Sequence, residues 1–168
     1  MHRYAPLVAR IDDAARAAHV TVALGESLTG GRVAASIVDR PGVSSWFIGS
    51  IVTYSSALKT ALLGVSGALL DLHGAASAPV AEAMARGVCA RTGASVAAAV
   101  TGVAGPGPDL FGTVEGTVYI AVLTPLGLST RRIDGPGSRE AIRSAATAAT
   151  LELLADARES LEVRRVRP

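Results

Sequence analysis

The spacing of apolar residues along the chain changes repeatedly between a helical period and short continuous runs, and each change marks an element. From about Tyr4 to Ala18, the residues Leu7, Val8, Ile11, Ala14, Ala15 and Ala18 recur at helical spacing. Val20-Thr21-Val22-Ala23-Leu24 reads as a short buried strand ending at Gly25. After Gly30-Gly31 the helical period returns through Val33, Ala34, Ile37 and Val38, and Pro41-Gly42 stops it. Trp46 to Tyr54 is rich in β-branched and aromatic residues and predicts a strand; Ser56 to Leu63 predicts a helix ended by Gly64. Ser77, with Pro79 in the first turn, opens a helix carrying Val80, Met84, Val88 and Arg91 on one side. Ser95 to Val100 is an apolar run fit for a central strand, and Gly102 to Gly112, with Gly105-Pro106-Gly107-Pro108, is a loop. Two further strands, Thr117 to Leu123 and Leu128 to Ile133, meet through Thr124-Pro125-Leu126-Gly127 as a hairpin. Ser138 caps a last helix in which Ile142, Ala146, Ala149 and Leu153 share a face.

This order, α-β-α-β-α-α-β-β-β-α, predicts a three-layer α/β/α sandwich around a mixed, mainly parallel β-sheet with one antiparallel pair. No repeat, linker or charge boundary divides residues 1–168, so one domain is expected, with a basic tail from about residue 160.

Composition narrows the function classes. Apolar residues make up 49 % of the 168 and charged residues 18 %, which excludes a disordered chain. The 18 glycines and 8 prolines follow no period, so a collagen-like or low-complexity chain is excluded too. Aromatics at 4 % argue against a base-stacking platform. Net charge is +2, but the only dense basic run is Arg164-Arg165-Val166-Arg167, and no basic stripe points to nucleic acid. No apolar stretch approaches the ~20 residues of a membrane span, and the N-terminus lacks a secretory apolar region. With a single cysteine, Cys89, and scattered His2, His19 and His73, no metal cluster is expected, and a reducing, cytoplasmic setting fits.

Four places carry candidate chemistry. Of 16 basic residues only Lys59 is a lysine. A buried lysine can lose its proton and act as a base where arginine cannot, although a surface or salt-bridge role is equally open. The turn Gly25-Glu26-Ser27-Leu28-Thr29-Gly30-Gly31 lacks a P-loop ending, and the chain has no dinucleotide fingerprint. Its serine, threonine and glycines fit an anion site or oxyanion hole, but on this segment alone the commoner use wins, a helix cap with Glu26 facing the positive helix end. Ser56 and Lys59 have the S-x-x-K spacing, and a neutral Lys59 would take a serine proton directly or through Tyr54. The loop Val100-Thr101-Gly102-Val103-Ala104-Gly105-Pro106-Gly107 leaves the most apolar strand, where neighbouring loops share a crevice. Arg139 stands in the first turn of the last helix and Arg143 one turn on, a placement unfavourable by roughly 0.3–1 kcal/mol unless a phosphate or an acid such as Glu140 is near.

Taken in order, these stretches resemble the C-terminal domain family of the competence/damage-inducible protein CinA, whose active members are nicotinamide-nucleotide amidohydrolases. The resemblance runs through Glu26-Ser27-Leu28-Thr29-Gly30-Gly31, Phe47-x-Gly49, Tyr54-Ser55, Lys59, Leu62-x-Gly64-Val65 and Gly74-Ala75-Ala76-Ser77. It continues through Ala83-Met84-Ala85, Val100 to Pro106, Gly116-Thr117-Val118-Tyr119-Ile120 and Arg139. It implies Ser27 as nucleophile rather than Ser56, and Lys59 as proton acceptor with Tyr54 close by. It also implies substrate binding by Glu26, Thr101 and Arg139, with Thr29, Gly30 and Gly31 of the turn and Gly102 and Gly105 of the loop beside them. The implied reaction converts nicotinamide mononucleotide to nicotinate mononucleotide and ammonia, without cofactor or metal, in a homodimer or larger homo-oligomer. The alternatives are a nucleotide-binding module without turnover and an amidohydrolase for another small amide. Two departures stand out. Leu28 replaces a cysteine usual in relatives, a change of packing more than chemistry. Gly107-Pro108-Asp109-Leu110-Phe111 and Thr113-Val114-Glu115 replace a glycine-rich and Lys-Pro segment that borders the substrate mouth.

Overall fold

A computed structural model describes the backbone of residues 3–135 and 137–165 and the side chains up to residue 157. Helix α1 (Ala5–Ala18) begins with a proline in its first turn and ends at His19, whose left-handed conformation (φ 51°) closes the last turn onto Ala15 and Arg16. Five strands follow: β1 (Val22–Glu26), β2 (Phe47–Val52), β3 (Val96–Gly102), β4 (Thr117–Thr124) and β5 (Gly127–Asp134). They form one sheet in the order β2-β1-β3-β4-β5. β1 pairs parallel with both β2 and β3, whereas β4 runs antiparallel to β3 and β5. Four strands therefore point one way and β4 the other, in the expected mixed sheet. The β4–β5 hairpin turns at Thr124 and Gly127 as its turn residues predict. The β3–β4 pair is a second antiparallel ladder beyond the single one expected. Its signal was the lack of a helical period in residues 103–116, since a parallel return needs a crossover.

Helices α2 (Arg32–Val38) and α6 (Arg139–Arg165) join α1 on one face; α3 (Ser56–Leu63), α4 (Gly67–His73) and α5 (Ala78–Thr92) cover the other. The seven-residue α4 and a 3-10 turn at Val43–Ser45 are additions to the expected order of elements. Ser66 caps α4 by accepting from the Leu69 amide. Ser77 holds the expected N-cap position of α5, but its hydroxyl donates to the Gly74 carbonyl instead of accepting from the helix.

Side chains alternate across the sheet, and the two faces are unlike. Toward α1 and α6 point Val22, Leu24, Val96, Val100, Val118, Ile120 and Val122, which pack with Ile11, Ile142, Leu151 and Leu154. Toward α5 point Ala23, Ala97, Ala99 and Ala121, against Val80, Met84 and Val88. This second face is thin, so α5 lies close to the strands. A Cβ on Gly25 would stand 2.9 Å from Val88 Cγ2. On its outer side α5 is equally tight, because Gly87 lies against the Leu63 backbone of α3. Elsewhere, buried Asp12 of α1 accepts from Arg16, Arg40 and the Trp46 indole, tying that helix to the connection between α2 and β2. Burial alone would raise the Asp12 carboxyl, but those donors and the Arg16 charge outweigh it and hold the group below its usual range.

Among the described residues no helix is long and apolar enough to cross a membrane. The side chains of the basic run 164–167, and His2, lie outside the described residues.

Gly87→Ala puts a methyl inside contact distance of a backbone carbonyl that cannot swing away. We expect a loss of about 3 kcal/mol, the upper end for overpacking, read as a fall in Tm of roughly 10 °C by calorimetry.

Candidate active site

The strand order reverses between β1 and β3: the chain leaves β1 toward β2 on one side, while β3 lies on the other. Crevices form at the carboxyl ends of strands at such a switch point. Here the turn after β1 and the loop after β3 meet. The Ser27 amide donates to the Val100 carbonyl at 3.0 Å, extending the β1–β3 ladder by one residue.

Alternation decides what each residue at the end of β1 does. Glu26 follows Val22 and Leu24 onto the α1/α2 side and is fully buried. Its Oε2 accepts from Thr29 Oγ1 (2.8 Å) and from the amides of Gly31 (3.0 Å) and Val33 (3.1 Å). Its Oε1 accepts from the Ala34 amide and Ser50 Oγ, both at 3.0 Å. This carboxylate caps the amides at the N-terminus of α2, where both hydrogen bonding and the helix dipole favour a negative charge. Thr29 spends its hydroxyl on Glu26. Gly30 (φ 61°) and Gly31 (φ 94°) supply the left-handed turn, and the Gly30 amide closes onto the Ser27 carbonyl at 3.1 Å. Of the residues expected to touch substrate, Glu26, Thr29, Gly30 and Gly31 therefore shape the turn, and none of the four lines the cavity beside Ser27.

Ser27 follows Ala23 and Gly25 onto the opposite side, where α3 presents Lys59. Ser55 caps α3 by accepting from the Leu58 amide, which fixes the start of the helix one turn before the lysine. Lys59 is 1 % exposed. Its Nζ donates to the Thr53 carbonyl and to Ser27 Oγ, both at 2.8 Å. No described carboxylate lies within ion-pair distance, and burial pulls the amine down to about 8. An ammonium has three N–H groups to satisfy, and two acceptors stand beside it. A neutral amine has two N–H groups and a lone pair, so it can donate to Thr53 and accept from the Ser27 hydroxyl across the same 2.8 Å.

The pair opens into a cavity of about 330 Å³ lined by Ser27, Leu28, Tyr54, Lys59, Ala75, Ala76, the loop 101–109 and Arg139. Thr101 donates its hydroxyl proton to the Ala75 carbonyl at 2.8 Å. Gly102 lets β3 and β4 approach, since a Cβ there would stand 2.5 Å from the Thr117 carbonyl. Gly105 lies against the Glu115 carboxylate, which also accepts from the Gly107 amide at 2.8 Å. Arg139 spans the mouth, Nη1 donating to the Gly105 carbonyl (2.7 Å) and Nη2 to the Tyr54 hydroxyl (2.9 Å). Among the described residues the amides of Leu28, Ala104 and Gly105 donate to no protein acceptor.

Tyr54 is 61 % exposed and joins Arg139, with no hydrogen bond to Lys59 among the described residues; the lysine meets the serine without a relay. Ser56 stands on a neighbouring cleft, away from the cavity that holds Lys59. Glu140 forms a two-pronged pair with Arg32 of α2, and that pair, together with the nearby Arg143 charge, holds its carboxyl below the usual range. Arg143 donates to the carbonyls of Leu28 and Thr29. The Thr53 and Ala75 carbonyls went unread because a backbone acceptor has no sequence signature. Among the described residues no group of His, Cys, Asp and Glu is arranged to hold a metal ion.

Fold and site together define a three-layer α/β/α domain with a lysine–serine pair at its sheet's switch point. The profile of the CinA C-terminal domain matches residues 4–157. A CinA-like protein of Desulfotalea psychrophila is 44 % identical over 135 residues, covering 80 % of this chain and 33 % of that protein. One of Mycobacterium marinum is 46 % identical over 134 residues, covering 79 % and 32 %. The chain thus spans about a third of the length of the curated relatives it matches. Among solved structures, a competence-damaged protein (CinA) superfamily protein from Klebsiella pneumoniae superposes with a TM-score of 0.90 at 28 % identity, covering 95 % of this chain and 99 % of that one. The competence/damage inducible protein CihA from Agrobacterium tumefaciens gives 0.86 at 33 %, covering 92 % and 94 %. The chain belongs to the CinA C-terminal domain family.

Glu26→Gln sets an amide NH₂ against a ring of donors. We expect a loss of about 2–4 kcal/mol, since several charge-assisted bonds fail at once. A lowered urea midpoint with an unchanged m-value is the measurement that checks it.

Proposed function

We propose that this domain hydrolyses a carboxamide by way of an acyl-serine, and that the substrate is nicotinamide mononucleotide. The observation that carries the reading is the 2.8 Å contact of Ser27 Oγ with a buried lysine whose pKa is about 8. Neutral Lys59 takes the Ser27 proton as Oγ attacks the carboxamide carbon. The oxyanion is met by the Leu28 amide, which belongs to the residue after the nucleophile and has no protein acceptor. Lys59 hands its proton to the departing nitrogen, and ammonia leaves an acyl group on Ser27. Water, deprotonated by Lys59, then attacks the ester; Ser27 regains its proton and the nicotinate product departs. One water is consumed and one ammonia released. Arg139 holds the phosphate, because it spans the mouth with neutral oxygens as its partners among the described residues. The free amides of Ala104 and Gly105 stand beside it. Tyr54 orients Arg139. The choice of substrate rests on the family resemblance of these residues.

A second reading, an amidase for a different small amide, draws support from Asp109, an acid on the cavity wall in the loop that departs from relatives.

Ammonia release from nicotinamide mononucleotide tests the proposal. Ser27→Ala falls to background, and Lys59→Arg, which cannot accept a proton, loses about 10²–10⁴-fold in kcat. The competent lysine is the unprotonated one, so kcat/KM rises with pH, about tenfold per unit below 8, and levels above it. Wild-type turnover in either variant, or a profile that falls as pH rises toward 8, rejects the mechanism.

A further inference from the structure

Arg143 stands one turn into α6, with the charge of Glu140 near it but no described carboxylate hydrogen-bonded to its guanidinium. Its guanidinium is instead spent on two backbone carbonyls of another element. Nε donates to Leu28 O and Nη2 to Thr29 O, both at 2.9 Å. These are the first two residues after Ser27.

A trans peptide plane points its C=O and N–H to opposite sides, so holding one fixes the other. Gripping Leu28 O fixes the Thr29 N–H, and gripping Thr29 O fixes the Gly30 N–H. The Gly30 N–H donates to Ser27 O at 3.1 Å, and that in turn fixes the plane carrying the Leu28 N–H. Three consecutive peptide planes after the serine are thus set by one planar side chain from a distant helix. The Leu28 and Thr29 N–H groups within that stretch have no acceptor among the described residues, and Leu28 lines the cavity. On the far side of the turn, Glu26 takes the amides of Gly31, Val33 and Ala34.

We propose that Arg143 is a positioning residue that aims the unpaired Leu28 amide, next after Ser27, at the oxyanion of the reaction. It touches neither substrate nor nucleophile. Lysine is no substitute, because an ammonium lacks the fixed fork that engages two carbonyls at once. The inference rests on the reading of Ser27 as nucleophile, though not on which amide is the substrate.

An aryl fluorophosphonate probe separates the two. Ser27 Oγ forms the P–O bond as fluoride leaves and Lys59 takes the hydroxyl proton, with negative charge building on the phosphoryl oxygen. The rate of adduct formation is followed by mass spectrometry for the wild-type chain, Arg143→Ala and Arg143→Lys, beside ammonia release from nicotinamide mononucleotide and a thermal melt. Both variants are expected to take the probe at least about tenfold more slowly, with kcat for ammonia release reduced alike and KM within about twofold. Millimolar guanidinium is expected to restore Arg143→Ala and leave the wild type unchanged. Labelling of either folded variant at the wild-type rate overturns the inference, as does slowing that guanidinium does not relieve and that tracks a loss of Tm. Where Arg143→Ala fails to fold, the lysine variant decides by the same rates. A wild-type chain that takes the probe on Ser27 but releases no ammonia rejects the substrate and leaves the Arg143 comparison standing. A chain that does neither overturns both.

Discussion

The rest of the structure depends on a lysine kept out of water. A buried ammonium with no counter-charge is costly, and the amine at Lys59 relieves that cost by giving up its proton near pH 8. The condition holds only while α3 stays pressed to the protein, and the architecture serves that end. Ala23, Ala97, Ala99 and Ala121 keep one face of the sheet thin, Gly25 lets α5 settle against β1, and Gly87 lets α3 settle against α5. Lys59 occupies the last layer of this stack. A bulkier residue at any level would lift α3, admit water beside Nζ, and let its pKa climb back toward that of an ordinary lysine. In this domain a packing defect and a chemical defect are the same event.

The serine is held by different means. Its turn carries polar backbone at the end of a buried strand, and such backbone must be paired. Glu26 gathers N–H groups on one side of the turn and Arg143 gathers C=O groups on the other. The two charges act on opposite ends of the peptide dipoles, so they reinforce one conformation rather than compete. A carboxylate as deeply buried as Glu26 is tolerable because five donors converge on it.

Much of this was legible in the sequence wherever a period or a chemical oddity marked it. The helical spacing at Tyr4 to Ala18 and Ser56 to Leu63, and the apolar run into Val100, placed their elements to within a few residues. The short α4 left no such trace, and the reversal of β4 was marked only by the missing helical period in residues 103–116. The sole lysine pointed to Lys59, and the cation one turn into α6 to Arg143, whose hydrogen-bond partners are a pair of carbonyls while Glu140 supplies the nearby negative charge. Glu26 was assigned to substrate from its place in a motif. The alternation Val22, Leu24, Glu26 along the strand already puts it on the opposite face from Ser27. That Tyr54 meets Arg139 and not Lys59 depends on tertiary geometry alone.

The two kinds of basic side chain in the cavity divide the work in the proposed reaction. A phosphorylated substrate calls for a permanent positive charge, and a carboxamide calls for a base that is free of its proton. One residue type cannot meet both demands at the same pH. Arg139 stays charged on the exposed rim, where water offsets its cost and two neutral oxygens hold its fork. Lys59 stays largely desolvated at the floor, where the same burial that would punish a charge supplies the lone pair. Exchanging the two would place a cation that cannot deprotonate beside Ser27 and an ordinary solvated amine at the mouth, and neither would serve. A chain that otherwise uses arginine for every basic position therefore has a physical reason to keep one lysine, and to keep it at this position.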